Sequence, residues 1–132
     1  MLQYEPKILI AFAETLSGNT EIFGWLMKNG YPELAALSAC MRGSEDAFRW
    51  LMKNGFPHLG ALDRAIDGDV NALLWLNRND YTLLARLAGA CNSQPDAVAF
   101  FEKNNLPVFL MIADKFISFR DNQEFNYYKK SF

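Results

Sequence analysis

The hexapeptide Trp25-Leu26-Met27-Lys28-Asn29-Gly30 recurs letter for letter as Trp50-Leu51-Met52-Lys53-Asn54-Gly55, 25 residues further on. Sliding the chain along itself by that interval aligns Trp25, Trp50, Trp75, Phe100 and Phe125 in one column. Leu26, Leu51, Leu76 and Phe101 form the next column, and Asn29, Asn54, Asn79 and Asn104 form an identical one. Upstream, Leu9, Leu34, Leu59, Leu84 and Phe109 align, as do Phe12, Leu37, Leu62, Leu87 and Ile112. A fixed period held without gaps is the signature of stacked units, none of which can bury its own apolar face alone. The chain therefore reads as one domain, 1–132, of five tandem repeats at approximately 6–30, 31–55, 56–80, 81–105 and 106–130.

Each repeat reads as two short helices. In the second, Pro32 suits a first helical turn, where its missing N–H costs nothing. Leu34, Leu37 and Met41 follow at helical spacing, and Gly43 ends the segment. Ser44 is placed to cap the next helix, with Glu45 and Asp46 in its first turn. Asp69 takes the same capping place one repeat later, and Pro95 stands at a first helical position in the fourth repeat. The hexapeptide is then a helix ending. Trp and Leu are expected as core anchors, Lys meets the negative end of the helix dipole, and Asn-Gly closes the helix. Where Gly is replaced, Asp80 and Asn105 are the next most tolerant of positive φ.

The second-helix segment Gly43-Ser-Glu-Asp-Ala-Phe-Arg-Trp-Leu-Met-Lys-Asn-Gly55 resembles the ankyrin pattern, and Gly18 to Gly30 has the same spacing. Ala39 and Cys40 fall at the small-residue pair of the ankyrin first helix. The ankyrin repeat is about 33 residues long, its extra residues forming a projecting β-turn finger. Here Gly55 leads through Phe56 straight into Pro57, leaving no room for a finger, and the Thr-Pro-Leu-His signature keeps only its Pro. The resemblance implies an all-α fold, a finger-less right-handed α-solenoid of five two-helix repeats. It further implies that the chain binds other proteins.

Several chemistries lack their residues. The only histidine, His58, follows a helix start and reads as a surface residue. No Cys/His cluster has zinc spacing, so no metal and no cofactor is expected. Cys40 and Cys91 lie two repeats apart, roughly 20 Å for helices ~8–10 Å from their neighbours, beyond disulfide reach. Both read as buried thiols. Ser17-Gly18-Asn19-Thr20 lacks the strand and the Gly-Lys-Ser/Thr ending of a phosphate loop. The acids Glu45, Asp46, Asp67 and Asp69 stand at second-helix starts, where capping accounts for them. A net charge of −2 gives no footprint for nucleic acid or an anionic membrane. No apolar run approaches a membrane span, and the N-terminus is a poor signal peptide. Two cysteines without a disulfide framework point to the cytoplasm.

The expected function is a non-catalytic protein-interaction module or scaffold. The first helices of ankyrin-like stacks line a concave face, so Arg42, Arg64, Asp67 and Arg86 are candidates for a partner-binding groove. Leu110 belongs to a second candidate surface. The column Ile10, Ala35, Gly60, Ala85, Leu110 is small in the middle and large at both ends, and Val108–Ala113 is apolar all round. Something must cover that helix. Candidates are the tail 125–132, a second copy in a homodimer, or a partner protein. Two rival readings remain. One is an enzyme with Asp63, Asp67 or Asp114 converging in the groove. The other is a nucleic-acid binder using the column Lys28, Lys53, Arg78, Lys103, against which the acidic total argues.

Overall fold

The computed structural model describes the backbone of residues 1–130 and the side chains of residues 1–123. Nine α-helices and no strand occur among the described residues. The odd-numbered helices are α1 (Pro6–Leu16), α3 (Pro32–Met41), α5 (Pro57–Ile66), α7 (Thr82–Cys91) and α9 (Pro107–Lys130). Between them stand α2 (Thr20–Lys28), α4 (Glu45–Lys53), α6 (Val70–Arg78) and α8 (Pro95–Lys103).

Local chemistry sets these boundaries. Asn19, Ser44 and Asp69 each accept a hydrogen bond from the backbone N–H three residues on, at 3.1 Å, capping α2, α4 and α6. Gln94 makes no such bond, and Pro95 starts α8 instead. The identical asparagine column has a specific duty. The side-chain amides of Asn29, Asn54, Asn79 and Asn104 donate to the carbonyls of Trp25, Trp50, Trp75 and Phe100 at 2.7–2.8 Å. Each satisfies a carbonyl at the end of a helix. The following residue turns left-handed, at φ 92° in Gly30, 65° in Asp80 and 53° in Asn105.

The expected Trp-Leu anchor pair is corrected to Leu alone. Leu26, Leu51, Leu76 and Phe101 are fully buried, whereas Trp25, Trp50 and Trp75 are 46%, 37% and 38% exposed. Neighbouring residues point about 100° apart round a helix, so one core-facing stripe cannot take both. The indoles instead stack on the aromatic residue that opens the next odd-numbered helix. Trp25 lies on Tyr31, Trp50 on Phe56 and Trp75 on Tyr81, with ring centroids 6.2, 6.0 and 5.8 Å apart.

Each even-numbered helix packs against the two odd-numbered helices that flank it in sequence. The odd-numbered helices also pack on one another in order, and α1 packs against α9. Their contacts thus form a closed cycle, α1–α3–α5–α7–α9–α1. This closure accounts for the apolar last repeat: Phe109, Ile112, Ala113 and Phe116 are buried, as are Ile8, Leu9, Phe12 and Leu16 in α1. Lys115 and Glu14 form an ion pair across the α1–α9 seam at 3.6 Å.

The fifth repeat departs from the two-helix expectation, because α9 runs unbroken for 24 residues. At the turn column, where Gly18, Gly43 and Gly68 are left-handed, Ser118 is helical. The capping column Asn19, Ser44, Asp69 continues as Phe119, which has no oxygen to cap a new helix. The extended α9 reaches the C-terminal ends of other odd-numbered helices. Arg120 donates to the Cys91 carbonyl at 2.9 Å and to the Asn92 side chain at 3.0 Å, and Arg42 lies 5.2 Å from the Phe119 ring centre. Asn92 in turn donates to the Ile66 carbonyl at 3.0 Å. The expectation that the side chains of 125–132 cover the last repeat lies outside the described residues. No helix among those described is long and apolar enough to cross a membrane.

The anchor correction has a measurable consequence. Leu51→Ala is expected to cost about 3 kcal/mol by leaving a cavity in a sealed core. Trp50→Ala removes the larger side chain yet costs less, because Trp50 is 37% exposed and stacks on Phe56 at the water boundary. Urea unfolding of the two variants gives the order, and a larger loss for Trp50→Ala overturns the assignment.

Candidate functional site

Successive even-numbered helices leave grooves between them, floored by the odd-numbered helix they share. An apolar groove lies between α4 and α6 over α5 and encloses about 450 Å³. Phe48 and Met52 form one wall, Ala61 and Pro57 the floor, and Ala72 and Trp75 the other wall. The α4 wall sits close to α5 because Gly60 beneath it has no side chain: a Cβ there would stand 2.8 Å from the Met52 sulfur and 3.1 Å from the Phe48 ring. Glycine lets α4 settle onto α5. Arg64 crosses the groove, its guanidinium 3.9 Å from the Phe48 ring centre and 2.9 Å from Glu45 Oε2. A cation held over an aromatic face and paired with a carboxylate is a well-positioned side chain. Exposed apolar residues continue beyond the groove on both helices: Trp50 and Met52 on α4, and Val70, Leu73, Leu74 and Trp75 on α6.

The next groove, over α7 between α6 and α8, encloses about 320 Å³ and is more polar. Arg86 lies there, 5.1 Å from the Phe100 ring centre and 3.7 Å from Asp96 Oδ2. A third cavity, of about 190 Å³, lies where α9 passes the ends of α3 and α5. Cys40, Arg42, Asp63, Asp67, Phe119 and Arg120 are among its lining residues.

The sequence-derived candidates therefore occupy four places. Arg64 and Arg86 lie in separate, neighbouring grooves of the even-helix layer. Arg42 and Asp67 line the cavity under α9. Leu110 is half-buried on α9. They do not share one groove, because the cycle of odd-numbered helices leaves no single open face along which these columns could line up. The exposed aromatic and aliphatic residues of α4 and α6 were missed, since tryptophan at helical spacing reads as core. Their signal was the adjacent leucine column, which already filled the core-facing stripe.

Among the described residues, Asp63 is the one strongly perturbed carboxyl. It is 8% exposed and faces Cys40 across the α3–α5 seam. Burial raises its pKa to about 6, the nearby Asp67 charge adds to the rise, and hydrogen bonding from the Cys40 thiol opposes it. Asp114, the remaining acid of the convergent-site reading, is exposed on α9 and does not line this cavity. Cys40 and Cys91 are both buried free thiols; burial pushes Cys91 up to about 12, with Arg120 opposing. Neither is primed as a nucleophile. His58 is half-buried, stacked on Tyr81 at 4.8 Å, and burial lowers its pKa. No group of three or more metal-ligating side chains occurs among the described residues. The chain matches no protein-family model, no curated protein and no solved structure.

Asp63 makes stability depend on pH in a definite direction. Its folded pKa of about 6 exceeds the ordinary 3.8, so the folded state keeps more protons between those values. Its contribution is complete below about pH 4 and is lost as pH rises through about 6. Asp63→Asn keeps the shape and removes the charge. The variant is expected to exceed the parent in stability by about 1 kcal/mol at pH 7.5, a figure reduced for water reaching the cavity, and to lose that advantage at pH 4. A difference independent of pH in urea titrations would refute the assignment.

Proposed function

We propose that the chain is a non-catalytic protein-interaction module, an ankyrin-like, right-handed helical-repeat stack without fingers, which meets its partner through the even-helix layer. The supporting observation is the cluster of large apolar side chains left in water on α4 and α6, centred on Trp50, Met52, Leu74 and Trp75. Scattered apolar residues on a surface are ordinary, but a contiguous set rimmed by charge marks an interface. Tryptophan on a rigid helix suits such a surface, since it offers a large contact area at low entropic cost. Arg64, held in place by Phe48 and Glu45, gives the same face a charged anchor beside its apolar groove.

Asp63 favours a second reading, a small enzyme. A carboxyl with a pKa near 6 beside a cavity is suited to proton transfer near neutral pH. The interaction reading is preferred because the same pKa follows from a buried acid in a helix seam, with no substrate required.

The test is chemical cross-linking in extracts with the tagged chain and two surface variants. Leu74→Lys and Arg64→Glu alter the proposed face at exposed or half-exposed positions. The same cross-linked protein should be recovered by the parent and lost by both variants, with melting temperatures within a few degrees of the parent. Recovery of that protein by both variants would remove this face from consideration.

A further inference from the structure

We infer that the α9–α1 seam is an open fifth position in the even-helix layer, and that it receives a short amphipathic helix from a partner protein, basic at one end. The inference deepens the interaction-module reading and rests on it, but it concerns a different face from the α4–α6 patch.

The geometry starts from a count. Five odd-numbered helices make five seams, and α2, α4, α6 and α8 cover four of them. Among the described residues, no helix covers the seam between α9 and α1. The consequence is visible in one column. Ala35, Gly60 and Ala85 are buried, Gly60 directly beneath Phe48 and Met52 of the preceding even-numbered helix. The equivalent residue of α1 is Ile10, which is 44% exposed.

The groove beside this seam is half built. Lys7, Ala11, Ile22 and Trp25 line a space of about 280 Å³ on α1 and α2. Two repeats later, Pro57, Ala61, Ala72 and Trp75 occupy the same columns in the α4–α6 groove. There α4 supplies a further wall through Phe48 and Met52. On the α1 side, no even-numbered helix supplies that wall.

The four covered seams specify what fits. Each covering helix places an apolar residue at a fixed position, Phe23, Phe48, Leu73 or Val98, and another three residues on, Leu26, Leu51, Leu76 or Phe101. In the fifth repeat these columns read Gln123 and Asn126, so the chain's own continuation lacks both anchors. Charge then distinguishes a foreign helix from a copy of α4. Glu45, in the first turn of α4, pairs with Arg64 on the next odd-numbered helix. At the fifth position the residue in the Arg64 column is Glu14, and Asp114 is exposed on α9. Lys115 already pairs with Glu14. An incoming helix in the same orientation meets carboxylates with its first turn, so it needs lysine or arginine where α4 carries acids. Pairing with Asp114, which unlike Glu14 is in no ion pair among the described residues, offsets the unfavourable dipole of a cation at a helix start.

The probe is a helix-constrained, fluorescein-labelled peptide of residues 44–54 carrying Glu45→Lys and Asp46→Lys, titrated with the full chain by fluorescence anisotropy. The inference expects saturable binding, about threefold tighter than for the unaltered 44–54 peptide. Ile10→Asp should weaken binding at least about tenfold, while Leu74→Lys on the other face leaves it unchanged. Asp114→Lys, an exposed substitution with no bearing on the core, should reverse the preference between the two peptides, and it decides the matter if Ile10→Asp does not fold. No binding at about 1 mM peptide, or no charge preference, overturns the inference. Binding lost with Leu74→Lys but kept with Ile10→Asp also overturns it and leaves the interaction-module reading standing. A dimer in light scattering that becomes a monomer with Ile10→Asp would assign the seam to a second copy and likewise overturn it.

Discussion

Contact between α1 and α9 is the constraint on which the other features of this chain depend. In an open row of repeats, each terminal helix has one flank in water and must carry polar residues there. Here both terminal helices carry apolar residues, because the two flanks face each other. Phe12 and Leu16 on one side and Ile112 and Phe116 on the other are all buried. Closure is possible only if neighbouring odd-numbered helices approach with a consistent offset. Small side chains at the seams permit this. Thr15 and Ser38 line one shared cavity, and Ala65 and Ala88 another. Large residues here would open each seam, and the error would accumulate around the cycle until α9 missed α1.

The same seams explain the buried polar groups. At α5–α7 the facing residues are both alanine, whereas at α3–α5 they are Cys40 and Asp63. Asp63 is small enough for the seam but must lose its hydration as a charged group, which holds its pKa near 6. Ser38, in the same column one repeat earlier, is buried and its hydroxyl has no hydrogen-bond partner among the described residues. An unsatisfied buried hydroxyl costs about 1–3 kcal/mol. The α1–α3–α5 side is therefore electrostatically less comfortable than the alanine-lined side. Arg120 shows the opposite arrangement, since its guanidinium meets the carbonyl end of α7, where a cation is favoured.

Much of the local structure was legible in the residues themselves. Prolines at first turns, the oxygens of Ser44 and Asp69, and the left-handed residues after each asparagine depend on interactions within a few residues, and these were read correctly. The errors came where a distant helix decides. Trp50 looks like core when taken alone; the adjacent leucine column was the signal that Leu51 takes that place, and the packing of α4 on α5 confirms it. The unbroken α9 was partly readable, because Phe119 occupies a capping column, but a strong 25-residue period outweighed one residue. The partner candidates are dispersed for a geometric reason: Arg42 and Asp67 line the cavity under α9, and Arg64 and Arg86 lie in separate grooves. Arg42, Arg64, Asp67 and Arg86 were grouped by their first-helix columns, and a column gives no information on which cavity each long side chain enters.

Closure also changes which surface is available for recognition. The odd-numbered helices bury most of their apolar columns against one another, while most of the exposed large apolar side chains lie on even-numbered helices. The even-numbered layer has a filled part and a gap. Its filled part carries exposed tryptophans, each aligned by stacking on a neighbouring aromatic ring and thus held without needing burial. Its gap leaves Ile10 in water, at the position where the three middle repeats have Ala35, Gly60 and Ala85 buried beneath a helix. A residue in this column is buried where an even-numbered helix lies over it, and among the described residues four such helices flank five seams.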